Sequence, residues 1–228
     1  MKVSFLVPVY NEVATIEELV GRVLAVPLDK QVIVVDDGST DGSREVLETL
    51  VRNHPEIELI HQSNRGKGAA LRAAIPRIRG QVTVIQDADL EYDPREVPAL
   101  IAPIVEGHAD VVYGSRLSGG RPQRAYLFWH LVGNRFLSLV AGVLYNTTLS
   151  DVETGYKAFL SSVISALDLR EDGFAIEPEI TAKVCKRRLR VFEVPISYYG
   201  RGYDEGKKIT WRDGFKAVWV LVRMRVSD

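Results

Sequence analysis

Over roughly the first half of the chain, short β-branched apolar runs alternate with longer stretches whose apolar positions recur every three or four residues. Lys2-Val7, Gln31-Val35, Ile57-His61, Val82-Gln86 and Asp110-Gly114 read as strands. Between them Glu12-Val26, Asp41-Asn53, Gly68-Arg79 and a stretch starting at about Pro94 read as helices. Strands separated by helices of this length predict an α/β fold with a mostly parallel central sheet and helices on both faces. Asp93-Pro94-Arg95-Glu96 supports the fourth helix start, with an N-cap residue, proline at the first helical position and an acid in the first turn.

In open sheets of this kind ligands bind beyond the carboxyl ends of the strands, where the loops converge. Pro8-Val9-Tyr10-Asn11-Glu12, Asp36-Asp37-Gly38-Ser39, Ser63-Asn64-Arg65-Gly66-Lys67-Gly68 and Asp87-Ala88-Asp89 each follow an apolar strand, so the four clusters should share one rim. After about residue 120 the alternation breaks. Tyr126-Tyr145 reads as an amphipathic helix carrying His130, Asn134 and Arg135. Tyr156-Phe159 reads as a short strand, Pro178-Arg187 as a helix and Arg190-Ser197 as a strand. A Gly-rich charged loop, Gly200 to Lys208, leads into a terminal amphipathic helix from Trp211 to about Val226.

With 228 residues and 46% hydrophobic content, the chain can bury one substantial core and is too short for two large ones, so 1–228 reads as a single domain. The 29 basic and 30 acidic residues nearly cancel, which argues against nucleic acid as a partner. A lone cysteine, Cys185, excludes an internal disulfide and a multi-thiolate metal site, and fits a reducing, cytoplasmic setting. No signal-peptide pattern opens the sequence. The longest uncharged stretch, Phe136 to Ser150, falls short of the roughly 18 to 20 apolar residues that span a bilayer, so any membrane contact is expected to be peripheral.

Asp87 and Asp89, two residues apart on a turn after a buried strand, can both face the cleft. A hard cation such as Mg²⁺ or Mn²⁺ takes one or two such carboxylates and completes its shell with water and substrate phosphate oxygens. A solvated turn explains the pair equally well in isolation. The Asp36-to-Gly42 run can hold a ribose hydroxyl or a base N–H, or can follow from turn chemistry alone. Arg65-Gly66-Lys67-Gly68 opens a helix, where basic side chains and free N–H groups suit an anion. It matches neither a Walker loop nor a dinucleotide fingerprint, which disfavours an NTPase or a nicotinamide enzyme. His54, His61, His108 and His130 show no zinc-protease spacing, and no nucleophile elbow is present.

Taken in order, Val7-Pro8-Val9-Tyr10-Asn11-Glu12, Val34 to Gly42, Arg65 to Gly68 and Gln86-Asp87-Ala88-Asp89-Leu90-Glu91 resemble the family-2 inverting glycosyltransferases with a GT-A, Rossmann-like fold. Gly114-Ser115-Arg116, Asp151 to Lys157, Phe174 to Ile180 and Arg201 to Ile209 resemble the polyprenyl-phosphate, or dolichol-phosphate mannose synthase-like, branch. The resemblance implies a nucleotide-sugar-binding half, 1–115, an acceptor-binding half with a phosphate-closing loop, 116–210, and the terminal helix, 211–228. It places Pro8, Tyr10, Glu12, Val35 and Asp37 at the nucleoside, with Lys67, Asp87, Ala88 and Asp89 completing the donor site. Asp87 and Asp89, helped by Glu91, would hold Mg²⁺ or Mn²⁺ and the diphosphate. Arg201 and Lys207 would close over the phosphates. Arg116 would face the acceptor phosphate, with Arg124 or Arg135 as a second grip, and Asp89 and Arg116 would carry the catalysis.

The implied reaction moves a hexose from a GDP- or UDP-sugar to a polyprenyl phosphate. A hydroxyl acceptor needs a base poised near the working pH, whereas a lipid phosphate is already an anion. The Q-x-x-R-W motif of processive synthases is missing, so arginines are expected on the acceptor side. The segment Tyr126-Tyr145 and the terminal helix would suit the cytoplasmic face of a membrane. Because relatives in this branch carry transmembrane helices after this point, a peripheral enzyme or one with a membrane partner subunit is implied. A saccharide-directed soluble transferase and a non-catalytic nucleotide-sugar-binding subunit are the rival readings.

Overall fold

The structure is a computed structural model that describes residues 1–125, 128–202 and 211–227. Its first part follows the alternation: β1 (Lys2–Val9), α1 (Ile16–Ala25), β2 (Asp29–Asp36), α2 (Ser43–Asn53), β3 (Ile57–His61), α3 (Lys67–Ala74), β4 (Val82–Ile85), α4 (Val97–Val105) and β5 (Val111–Ser115). Pro76 ends α3 in a single 3₁₀ turn, so that helix is shorter than the sequence pattern suggests. The Asp93 cap is real, its carboxylate accepting from the Arg95 N–H, but the turn it starts is 3₁₀ before α4 begins.

The second part adds α5 (Phe128–Tyr145), β6 (Lys157–Leu160), α6 (Ser161–Ala166), α7 (Ile176–Lys186), β7 (Val191–Pro195) and α8 (Trp211–Val226). The seven strands run in the order β3-β2-β1-β4-β6-β5-β7. Six are parallel, and β6 alone is inserted antiparallel between β4 and β5.

Alternating side chains of the sheet feed two apolar cores. Phe5, Val7, Val34 and Val84 pack with Ile16, Leu19, Leu47 and Leu100 on the face of α1, α2 and α4. Leu6, Ile33, Ile85 and Tyr113 pack with Leu71, Ile164, Ile180 and Leu221 on the face of α3 and α6 to α8. This is the α/β arrangement with helices on both faces that the hydrophobic pattern implied. The inward strand positions are fully buried, at about 1.5–3 kcal/mol each for a large aliphatic side chain.

Candidate active site

Because β6 runs against its neighbours, its first residue lies where the others end. The segment 151–156 leading into β6 therefore reaches the same rim as the turns after β1, β2, β4, β5 and β7. Donor-side and acceptor-side candidates meet there.

At the centre, Asp87 follows β4 and faces Lys67, the first residue of α3. The Lys67 ammonium lies 2.7 Å from Asp87 Oδ1 and 3.0 Å from Oδ2, and 3.0 Å from Glu177 Oε1. Glu177 Oε2 accepts from the fully buried Lys157 ammonium, which also donates to the carbonyls of Val152, at 3.2 Å, and Thr154. Asp87, Lys67, Glu177 and Lys157 thus form an interior line of alternating charge, the condition under which buried ionic groups are tolerated. A Cβ on Gly155 would sit 2.2 Å from Asp87 Oδ2 and 2.7 Å from Lys67 Nζ, so glycine is needed for the chain to pass this close.

Asp89 accepts from the Glu91 N–H at 3.1 Å and faces Arg201 Nη2 at 3.3 Å. Burial first, then the Glu91 and Asp87 carboxylates, push the Asp89 carboxyl up to about 7 against the pull of Arg201. That surplus of negative charge fits a divalent cation bound through two carboxylates and substrate oxygens. Among the described residues no three His, Cys, Asp or Glu side chains form an all-protein metal cage. Glu91, expected beside the metal, is turned to another task. Its two oxygens accept from Tyr198 Oη at 2.8 Å and the Arg201 N–H at 2.6 Å, anchoring the segment after β7. Arg201 in turn places its fork on Glu12, both contacts at 3.0 Å.

Other expectations change more. Both Asp37 oxygens are engaged, by Gln62 Nε2 at 2.6 Å and by the N–H groups of Arg65 and Gly66 at 2.9 and 2.7 Å. The Ala69 N–H goes to the Asp172 carbonyl. These N–H groups at the start of α3 are therefore not the free anion cradle expected. Gly66 and Gly68 are required instead by close packing on residues 171–173, where a Cβ would fall 2.7 and 2.1 Å from backbone oxygens. Val35 and Ala88 are buried among apolar neighbours and offer no side chain at the rim, whereas Tyr10 is exposed and Pro8 half-buried. His61, the last residue of β3, places Nδ1 3.0 Å from Asp36 Oδ2.

On the acceptor side, Arg116 is locked rather than free. Asp151 accepts from its N–H at 2.9 Å and from Nε and Nη2, both at 2.7 Å, and Tyr198 covers the guanidinium at 5.0 Å. Asn134, not Arg135, joins this pair, donating to Asp151 Oδ1 at 2.6 Å. Arg124 donates to the Gly200 carbonyl at 2.9 Å. Arg135 is exposed and lines an open depression of about 400 Å³ with Leu117, Ser138, Leu139 and Ser150. Lys207 and Tyr126 lie outside the described residues.

The structure adds groups to which the sequence reading gave no role: Asp151, Glu177, Lys157, Tyr92 and Glu153. Tyr92 stacks on Tyr156 at 5.1 Å and accepts from the Gly155 N–H. Burial, then the Glu177 charge, push the Glu153 carboxyl up to about 7, and its Oε1 is buried without a hydrogen-bond partner among the described residues. For Asp151, Glu153, Lys157 and Glu177 the signal in the sequence was membership of the stretches 151–157 and 174–180, whereas Tyr92 lies in neither.

The family model for glycosyl transferase family 2 matches residues 4–164, spanning the rim from β1 to β6. The chain belongs to this family. It is 32% identical over 200 residues to glycosyltransferase AglJ of Haloferax volcanii, covering 87% of this chain and 63% of that protein. Over 220 residues it is 29% identical to the undecaprenyl-phosphate mannosyltransferase of Micrococcus luteus, covering 91% and 87%. It is 30% identical over 213 residues to the dolichol-phosphate mannosyltransferase of Pyrococcus furiosus, covering 91% of this chain and 59% of that one. The chain thus spans less than two thirds of two of these three relatives.

The fold is shared with glucosyl-3-phosphoglycerate synthase of Mycobacterium tuberculosis, solved with Mn²⁺, UDP and phosphoglyceric acid. The TM-score is 0.75 at 18% identity, covering 98% of this chain and 78% of that one. The GT-A, Rossmann-like architecture implied by the motifs is therefore the architecture of this family 2 chain. Among its described residues no helix is long and apolar enough to cross a membrane.

Proposed function

We propose that this chain transfers a hexose from a nucleotide-diphosphate donor to a polyprenyl phosphate, with inversion and with Mg²⁺ or Mn²⁺ bound. The observation that carries the reading is the pairing on one rim of Asp87 and Asp89 with Lys67 and Arg201, two carboxylates for a cation and two cations for a diphosphate. The names of the Micrococcus and Pyrococcus relatives support the acceptor class. In this reading 1–115 holds the donor, with Pro8, Tyr10, Glu12 and Asp37 around the nucleoside, and 116–210 holds the acceptor.

A phosphate oxygen of the acceptor attacks the anomeric carbon while the nucleoside diphosphate leaves with the electrons of its bond to the sugar. Asp151 holds Arg116 in one rotamer, so the guanidinium meets the incoming phosphate already oriented. Lys67 and Arg201 offset the charge that gathers on the departing diphosphate. The divalent ion, when bound at Asp87 and Asp89, supplies further charge neutralisation of that leaving group. The acceptor phosphate is an anion, so no side chain has to remove a proton.

The acceptor is proposed to arrive from a lipid surface on the cytoplasmic side. Phe128, Trp129, Phe136, Leu139 and Val143 are exposed on α5, and Phe215 and Trp219 on α8. The two helices are joined by Tyr145 Oη donating to the Leu221 carbonyl at 2.6 Å. Aromatic residues with basic neighbours such as Lys216 and Arg225 suit the headgroup region.

Glu153 favours a second reading, transfer to a hydroxyl, because a buried carboxyl poised near neutrality can serve as a base. The two separate when a panel of GDP- and UDP-sugars is offered with polyprenyl phosphate or with unphosphorylated polyprenol. The proposal expects product with the phosphate alone, and product from the alcohol or a saccharide would transfer the assignment to the Glu153 reading.

A further inference from the structure

Each carboxylate proposed to meet the divalent ion already faces a cation of the chain itself. Lys67 closes on both oxygens of Asp87 at 2.7 and 3.0 Å, and Arg201 stands 3.3 Å from Asp89. Lys67 is also held from behind. Glu177 sits 3.0 Å from its ammonium and is itself fixed by Lys157, whose ammonium also donates to the carbonyls of Val152 and Thr154 and lies over the Tyr113 ring. The backbone leading into Lys67 is pinned by Asp37 through the Arg65 and Gly66 N–H groups. An ammonium anchored on both sides does not withdraw into solvent when a divalent ion approaches. The ion has to compete with it for Asp87.

A nucleotide diphosphate changes that competition. Its oxygens offer Lys67 a new partner beside Asp87 while Glu177 keeps hold of the ammonium. We infer that Lys67 is a built-in counter-cation for Asp87 that keeps the divalent-ion site weak until a nucleotide diphosphate draws the ammonium onto its own oxygens. Metal and donor then bind interdependently, and the coupling is reciprocal. The inference rests on the proposal that Asp87 and Asp89 receive the divalent ion, and it gives Glu177 and Lys157 the role of positioning residues.

The test is Mn²⁺ binding to the purified chain, read from the electron paramagnetic resonance signal of free Mn²⁺, with and without UDP or GDP. Lys67→Met is compared with wild type and with Lys67→Met/Glu177→Gln, which keeps the buried line electrically balanced and guards against loss of folding in the single variant. Circular dichroism confirms the folded state of each. For wild type, nucleotide should tighten Mn²⁺ binding about tenfold or more. Both variants should bind Mn²⁺ about tenfold tighter than wild type without nucleotide, and gain less than about threefold when it is added. Folded variants with wild-type Mn²⁺ affinity would overturn the inference, and so would loss of coupling without tightening, which would make Lys67 a phosphate contact only. Failure of wild type to bind Mn²⁺ under any condition would instead overturn the divalent-ion reading beneath it.

Discussion

Replacing Asp151 with alanine strips four hydrogen bonds from one carboxylate: the Arg116 N–H at 2.9 Å, Arg116 Nε and Nη2 at 2.7 Å each, and Asn134 Nδ2 at 2.6 Å. Asp151 is wholly buried and the Arg116 side chain is 16% exposed, so the guanidinium is left charged with little access to water. Breaking a buried pair from one side costs roughly 3–5 kcal/mol, and the partial exposure of Arg116 places this case near the lower figure. At about 2–4 °C per kcal/mol for a chain of this size, Tm should fall by about 6–12 °C. Asp151→Asn, which keeps one acceptor, should lose about half as much.

The assay is thermal unfolding followed by circular dichroism across pH. Burial by itself would raise the Asp151 carboxyl, but Arg116 and the hydrogen bonds from Arg116 and Asn134 hold it below the usual carboxylate range. A depressed folded value stabilises the protein above the unfolded value of about 3.9 and loses that contribution as pH falls through the folded one. The gap between wild type and Asp151→Ala should therefore be full at neutral pH and shrink below about pH 4. A loss under about 2 °C at neutral pH would refute the claim that Arg116 depends on Asp151.

Gly155→Ala puts a methyl 2.2 Å from Asp87 Oδ2, so loop or carboxylate has to move. A stability loss of roughly 1–3 kcal/mol and weakened Mn²⁺ and nucleotide binding in titration calorimetry are expected. Glu153→Gln should raise Tm at pH 9 and leave it unchanged at pH 4. The folded carboxyl titrates near 7, so its ionised form destabilises only as pH rises through the unfolded value towards that one, by up to about 3 kcal/mol. Trp129→Glu with Trp219→Glu, both at exposed positions, should weaken flotation with anionic lipid vesicles roughly tenfold or more. Unchanged flotation would remove these faces from the membrane account.

The strand and helix alternation up to β5 was legible because each element carries its own period, and the start at Asp93-Pro94 is written in local chemistry, whereas the apolar period ran on to Arg79 past the stop at Pro76. Strand direction is not encoded in that period. The antiparallel insertion of β6, which brings 151–156 to the rim, could not be read from the four-residue strand itself, and the six-residue α6 is too short to show a repeat. Residue types at the site were likewise visible while their partners were not. Lys67 reads as an unpaired cation until Glu177 arrives from α7, and Arg116 does so until Asp151 arrives from the loop before β6. Glu91 looked like a metal ligand for the same reason, because an acidic residue anchoring a loop and one facing a substrate look alike in sequence.

The most direct test of the central claim is transfer of radiolabelled sugar from GDP- and UDP-sugars into organic-extractable lipid by the purified chain with polyprenyl phosphate and Mn²⁺ or Mg²⁺. The account predicts label in the lipid phase that is abolished by EDTA and reduced at least about a hundredfold by Asp89→Ala. Donor binding with no labelled lipid, or label that survives both treatments, would contradict it.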